Sequence, residues 1–150
     1  MFSFFKKEKR SNKHKFDSKL IQKFQKDHKD LVSQITSITK AVSEDKIHKA
    51  KQELKKFKLA ILGHFMEEDI KLYWYLKNYY KDYETTMDTI EEFEKSMKVV
   101  QRDLLHFLDY YSREDIKIDY TFDRKFDSIV DFLSKRIETE ENTLYTLYIK

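Results

Sequence analysis

The sequence has no cysteine, no proline and a single glycine, Gly63. Without cysteine there is no disulfide and no thiolate metal site, a composition that fits a reducing compartment such as the cytoplasm. With no proline and one glycine, a fold of many tight turns lacks its usual turn residues, which leaves an all-helical fold as the economical solution. No apolar run approaches the ~20 residues of a transmembrane helix, so no membrane span is expected. The opening "MFSFFKKEKR" places its apolar residues before the charge rather than after it, the reverse of a signal peptide. The chain also lacks a positioned nucleophile, a phosphate loop and a catalytic dyad, so an enzyme is not expected.

What is present is 150 residues, enough for one domain, with aromatic side chains at 15%. The net charge of +3 hides an asymmetry. Residues 6 to 30 are rich in lysine, whereas acids gather in "MEED", "IEEFE" and "ETEEN". Residues 1–17 are read as a solvated basic tail ahead of a bundle at 18–150. A basic start of this kind suits anionic lipid or nucleic acid. Direct nucleic-acid binding is not expected here, and a membrane-surface adaptor acting through "MFSFFKK" is the third functional reading.

Apolar periodicity predicts four helices: Ser18 to Val42, Glu44 to Lys81, Thr85 to Tyr111, and Phe122 to the end. Ser43 is a fair N-cap for the second, and "SREDIKIDYTFD" is the longest expected loop. Long amphipathic helices with short links predict an antiparallel up-down-up-down four-helix bundle, with Phe and Tyr filling much of the core.

One pattern occurs twice. "GHFMEEDIKLY" begins at Gly63 and "KRIETEENTLY" begins at Lys135. Without a gap, His64 falls on Arg136, Phe65 on Ile137, Glu68 on Glu140, Asp69 on Glu141, Leu72 on Leu144 and Tyr73 on Tyr145. In an up-down bundle the second and fourth helices run the same way. The two copies then face each other at similar depth, a geometry for a shared central site.

A rotation of 100° per residue locates the core faces. His64 and Glu68 fall on or beside the stripe of Ile61, Phe65, Leu72 and Leu76. His28 edges the stripe of Leu20, Phe24, Leu31 and Ile35. Glu140 lies within about 40° of the middle of the fourth stripe and Glu141 within about 60°, with Arg136 near the rim. On the third helix His106 projects away from the core, while Met97 and Gln101 take the inward positions. Inward carboxylates are costly unless they neutralise or find a cation. A metal ion or Arg136 as internal counter-ion would answer that cost. Histidine with carboxylate suits iron, manganese or zinc.

These residues resemble the hemerythrin-like, HHE cation-binding family. Its pattern is a His on the first helix, H-x-x-x-E on the second, a His on the third and H-x-x-x-E on the fourth. Here "QKDHKDL" carries His28, "GHFMEED" carries His64 and Glu68, the third helix has no suitable His, and "KRIETEE" has Arg136 before Glu140. The resemblance implies a four-helix bundle that holds iron through His28, His64, Glu68 and Glu140, with Glu141 as a further ligand. It implies a reduced site, since two histidines of the pattern are missing, and a role in binding or sensing oxygen, nitric oxide or iron. The chain is also similar to the Rsd/AlgQ regulators, metal-free four-helix bundles that bind a bacterial sigma factor. "GHF" at 63–65, "RIETEE" at 136–141 and "DYY" at 109–111 carry that likeness. It implies the alternative, a metal-free interaction protein in the bacterial cytoplasm.

Overall fold

The computed structural model describes residues 15–150; the tail residues 1–14 lie outside the described residues. The chain forms α1 (Leu20–Ser43), α2 (Ile47–Glu67), α3 (Trp74–Tyr79), α4 (Glu84–Tyr111) and α5 (Tyr120–Thr139). A π-helical turn over Glu68–Tyr73 joins α2 to α3 with helical backbone throughout, so the two form one rod. A second π-turn, Glu140–Leu144, extends α5 and leads into a 3₁₀ turn at Tyr145–Leu147. Four helical rods and no strand make up the described residues.

The rods run alternately up and down. Leu20 and Phe24 at the start of the first pack with Leu72, Tyr73 and Leu76 near the end of the second. The same cluster takes in Ile90 near the start of the third and Leu144, Tyr145 and Tyr148 at the end of the fourth. A second apolar cluster fills the opposite end, with Leu31, Ile38, Leu54, Phe57, Met97, Leu108 and Phe122 among its members. Phe16 stacks on Tyr148, and the Asp17 backbone N–H donates to the Tyr148 hydroxyl at 2.7 Å. Residues 16 and 17, read from sequence as tail, therefore rest on the bundle.

The punctuation differs from expectation in detail. Ser43 does not cap α2; it ends α1 and its hydroxyl donates to the Lys40 carbonyl at 2.8 Å. The reversal is made at Asp45, which takes the left-handed conformation (φ 57) that a glycine would ordinarily supply. The Lys46 N–H then donates to the Ala41 carbonyl at 2.8 Å and closes the turn. α5 begins two residues earlier than Phe122, because Asp119 in extended backbone accepts from the Phe122 N–H. Regular helix also stops short of the C-terminus, at Leu147. Lys51 is fully buried and donates to the carbonyls of Tyr111 and Ile116, fastening the 112–119 loop to the start of α2.

Between the two apolar clusters lies a polar layer. His28 sits between Phe24 of one cluster and Leu31 of the other, Glu68 between Leu72 and Phe65, and Glu140 between Leu144 and Leu133. The fold therefore sets these groups at one depth.

Candidate metal centre

Each group of the layer is nearly sealed from solvent: His28 is 3% exposed, His64 4%, Glu68 1% and Glu140 2%. Burying two carboxylates so completely demands a strong compensation. One ligand atom each from His28, His64 and Glu68 lies within 4.8 Å of the others, close enough to surround a single cation.

The histidines are oriented from behind. His64 Nδ1 lies 2.9 Å from Asp27 Oδ2, and His28 Nδ1 lies 2.9 Å from Glu141 Oε2. A carboxylate accepts only, so the proton of each neutral ring belongs on Nδ1. Each Nε2 then carries a lone pair turned toward the layer. Burial opposes ionisation of Asp27, but the hydrogen bonds from His64 and Lys23 outweigh it and hold its carboxyl below the usual range.

The carboxylates are incompletely satisfied. His64 Nε2 closely approaches Glu68 Oε1, yet forms no hydrogen bond with it. Glu68 Oε2 and Glu140 Oε2 are buried without a hydrogen-bond partner among the described residues. Glu140 Oε1 stands 3.8 Å from His28 Nε2. Burial pushes the Glu68 carboxyl up to about 7, against the opposing effects of the adjacent Glu140 carboxyl and the Tyr145 hydroxyl. Burial, and then the neighbouring Glu68, raise Glu140 well above its ordinary value. Lone pairs facing one another across a buried gap, with orphan carboxylate oxygens beside them, are the donor set that a cation resolves.

The placements follow. His28, His64 and Glu68 converge, with Glu140 alongside. Glu141 is turned onto the outer nitrogen of His28, away from the gap. His106 is on the exposed face of α4, beside a groove lined by Phe107, Tyr110 and Arg124. Met97 fills the buried position on α4, and no histidine enters the layer from that rod. Arg136 reaches to α4 rather than into the gap: its guanidinium donates to the Phe93 carbonyl and the Ser96 hydroxyl, both at 2.9 Å, and lies over the Phe93 ring.

Three participants escaped sequence reasoning. Asp27 looks like one more surface acid in "KDHKD", and only its neighbour His28 marks it. Tyr145 donates to Glu68 Oε1 at 3.1 Å and lies 3.2 Å from His28 Nε2. Tyr73, its partner in the repeat, is equally buried but its hydroxyl has no hydrogen-bond partner. The signal for both tyrosines was the repeat itself, which aligns them five residues after the paired glutamates. An uninterrupted α-helix would turn them about 140° away from those glutamates. Both π-turns begin at those glutamates, and their i to i+5 bonding brings residues five apart back toward one face.

A surface cleft of about 330 Å³ between α1 and α2, lined by Asp27, Gly63, His64 and Glu67 among others, leads to the outer edge of His64. No helix of the described residues is long and apolar enough to cross a membrane. No curated protein and no solved structure matches the chain. Residues 19–148 match the family described as hemerythrin HHE cation binding domain; with its helical bundle and its buried His/Glu cluster, the chain belongs to that family.

Proposed function

We propose that this domain binds one iron ion through His28, His64, Glu68 and Glu140, and serves to hold or sense rather than to turn over a substrate. The observation that carries the reading is the convergence of ligand atoms from His28, His64 and Glu68 in a buried layer where one oxygen each of Glu68 and Glu140 has no hydrogen-bond partner among the described residues. Two imidazoles and carboxylate suit ferrous iron among the common metals, with manganese and zinc as competitors of similar chemistry. Asp27 and Glu141 fix the ring tautomers, the usual task of a second layer behind metal-bound histidine. A bound iron with an open position would offer it to oxygen or nitric oxide. A bacterial cytoplasm is the setting this reading expects.

One ion fits this donor set better than two. The fourth rod has Arg136 where the second has His64, and α4 brings no imidazole to the layer. A permanent cation beside a second metal position would oppose its filling.

Arg136 also supports a second reading. Its positive charge favours the ionised forms of both Glu68 and Glu140, so it acts as a partial counter-ion in a metal-free bundle. In that case the domain is an interaction protein of the Rsd/AlgQ type, with a sigma factor as partner. Elemental analysis of untagged protein separates the two. About one iron per chain, lost in His64→Ala and retained in His106→Ala, is the expected result. A well-folded parent that takes up no metal on titration with ferrous iron, manganese or zinc would leave only the metal-free reading.

A further inference from the structure

Tyr145 is placed in the gap itself, not behind it. Its hydroxyl touches one donor atom from α1, His28 Nε2 at 3.2 Å, and one from the π-turn of the second rod, Glu68 Oε1 at 3.1 Å. Both residues belong to the group able to surround a cation. A phenol carries one proton, so it donates to only one of the two at a time. A cation drawing both donors toward itself would therefore meet the phenol oxygen at the same point.

The ring has little freedom to withdraw. Tyr145 is 4% exposed, lies nearly parallel to the His28 ring with centroids 5.7 Å apart, and packs against Phe24. The second π-turn ends directly before it and sets its direction. Charge points the same way. Glu68 and Glu140 balance a dication, but a trication leaves one positive charge unmatched in a nearly buried layer. The guanidinium of Arg136 nearby adds to that excess. One further anion among the donors would restore balance, and the phenolate is the group at hand.

We propose that the Tyr145 phenol oxygen is a ligand to ferric iron in this site, losing its proton to solvent as the iron–oxygen bond forms. The proposal rests on the cation-binding reading above and adds a donor and an oxidation-state preference to it. Tyr73, which faces the half that holds Arg136, has no such role.

The full chain, untagged, is loaded with ferric citrate and followed by elemental analysis, visible absorption and resonance Raman scattering. The parent is expected to hold about one iron and to show a visible phenolate-to-iron band that enhances tyrosine ring vibrations. Tyr73→Phe keeps band and iron. Tyr145→Phe loses the band, and its ferric affinity falls more than its zinc affinity. Zinc binding in the same variant, with an unchanged far-UV spectrum, guards against simple misfolding. Iron bound by the parent without the band overturns the proposal and leaves the cation site standing. So does a band that survives in Tyr145→Phe. Equal loss of ferric iron and zinc in a folded Tyr145→Phe would make Tyr145 a brace for His28 and Glu68, again overturning the proposal. No iron in the parent fells the cation reading and this inference with it.

Discussion

The chain contains two copies of one device, and they differ most at the residue four positions before the glutamate. In the second rod the run is Gly63, His64, Glu68, Tyr73; in the fourth it is Lys135, Arg136, Glu140, Tyr145. Both copies enter a π-turn at the glutamate, and both bury the glutamate and the tyrosine. The π-turn therefore goes with the carboxylate and the tyrosine, not with the histidine. Where the copies part is the residue four positions before the acid. His64 turns in and is held by Asp27, whereas Arg136 turns to the rim and is held by α4. The donors consequently gather on the side of α1, α2 and the end of the fourth rod.

The largest test of this difference compares the two divergent residues directly. His64→Ala is expected to weaken metal binding by about 100-fold or more, beyond what loss of an orienting neighbour usually costs. Arg136→Ala should change it little. Calorimetric titration with ferrous iron under anaerobic conditions reads both. Comparable losses in the two variants would mean that the fourth rod supplies more than its glutamate and tyrosine.

The next test uses the buried acids. Burial raises Glu68 to about 7, and Glu140 stands higher than a free carboxyl as well, while an unfolded glutamate ionises near 4.5. Between those values the metal-free folded state holds more protons than the unfolded chain, so stability falls as pH rises through that window. Asp27 has the opposite sign, but its effect lies at lower pH, below the ordinary aspartate value of 3.8. Metal-free protein should thus melt several degrees higher at pH 5 than at pH 8. Bound metal requires the ionised ligands, so affinity should rise with pH across the same window. A metal-free protein that melts higher at pH 8 would show that the two carboxyls are paired with a cationic group.

Much of this was legible in the sequence. The four rods followed from apolar spacing, because burial of one face dominates long helices with little else to stabilise them. His28, His64, Glu68 and Glu140 were legible because each is a polar interruption in an apolar stripe. The π-turns were not: a constant 100° per residue carries Tyr73 and Tyr145 off the face they occupy. The role of Glu141 was blurred by the same assumption, since a small error in phase decides whether an acid meets the gap or the back of an imidazole. Asp45 replaced glycine in the first turn, and Ser43 looked like a cap because its sequence context suits one.

A smaller effect separates the paired tyrosines in the metal-free protein. The Tyr145 hydroxyl is hydrogen-bonded, and Tyr145→Phe should cost about 1 kcal/mol. The Tyr73 hydroxyl is buried with no well-formed hydrogen bond, although the nearby Arg136 guanidinium acts on it through its charge and as a weak donor. Tyr73→Phe should be neutral or stabilise by about 1 kcal/mol, since it removes an unsatisfied group and keeps the ring. The melting temperatures should move in opposite directions, by about 2–4 °C per kcal/mol for a chain of this size. Equal destabilisation would show that Tyr73 has a partner, and would make the copies more alike than they look.

The smallest effect concerns the residue that opens each copy. Gly63 is exposed inside α2, has no positive φ, and a Cβ there would meet nothing within 4 Å. Its counterpart Lys135 occupies the same exposed position in α5 without difficulty. No backbone conformation or close approach therefore calls for glycine, although glycine costs a helix interior about 1 kcal/mol relative to alanine. Gly63→Ala should raise stability by that amount in chemical denaturation. The same residue lines the cleft beside His64, so access is the one function left for it. A methyl group projecting into open space should leave the rate of metal uptake unchanged, whereas Gly63→Trp should slow it. A Gly63→Ala variant that gains stability but takes up metal slowly would show that the first copy keeps its glycine for the path to the site, a requirement the second copy, with no histidine to reach, does not share.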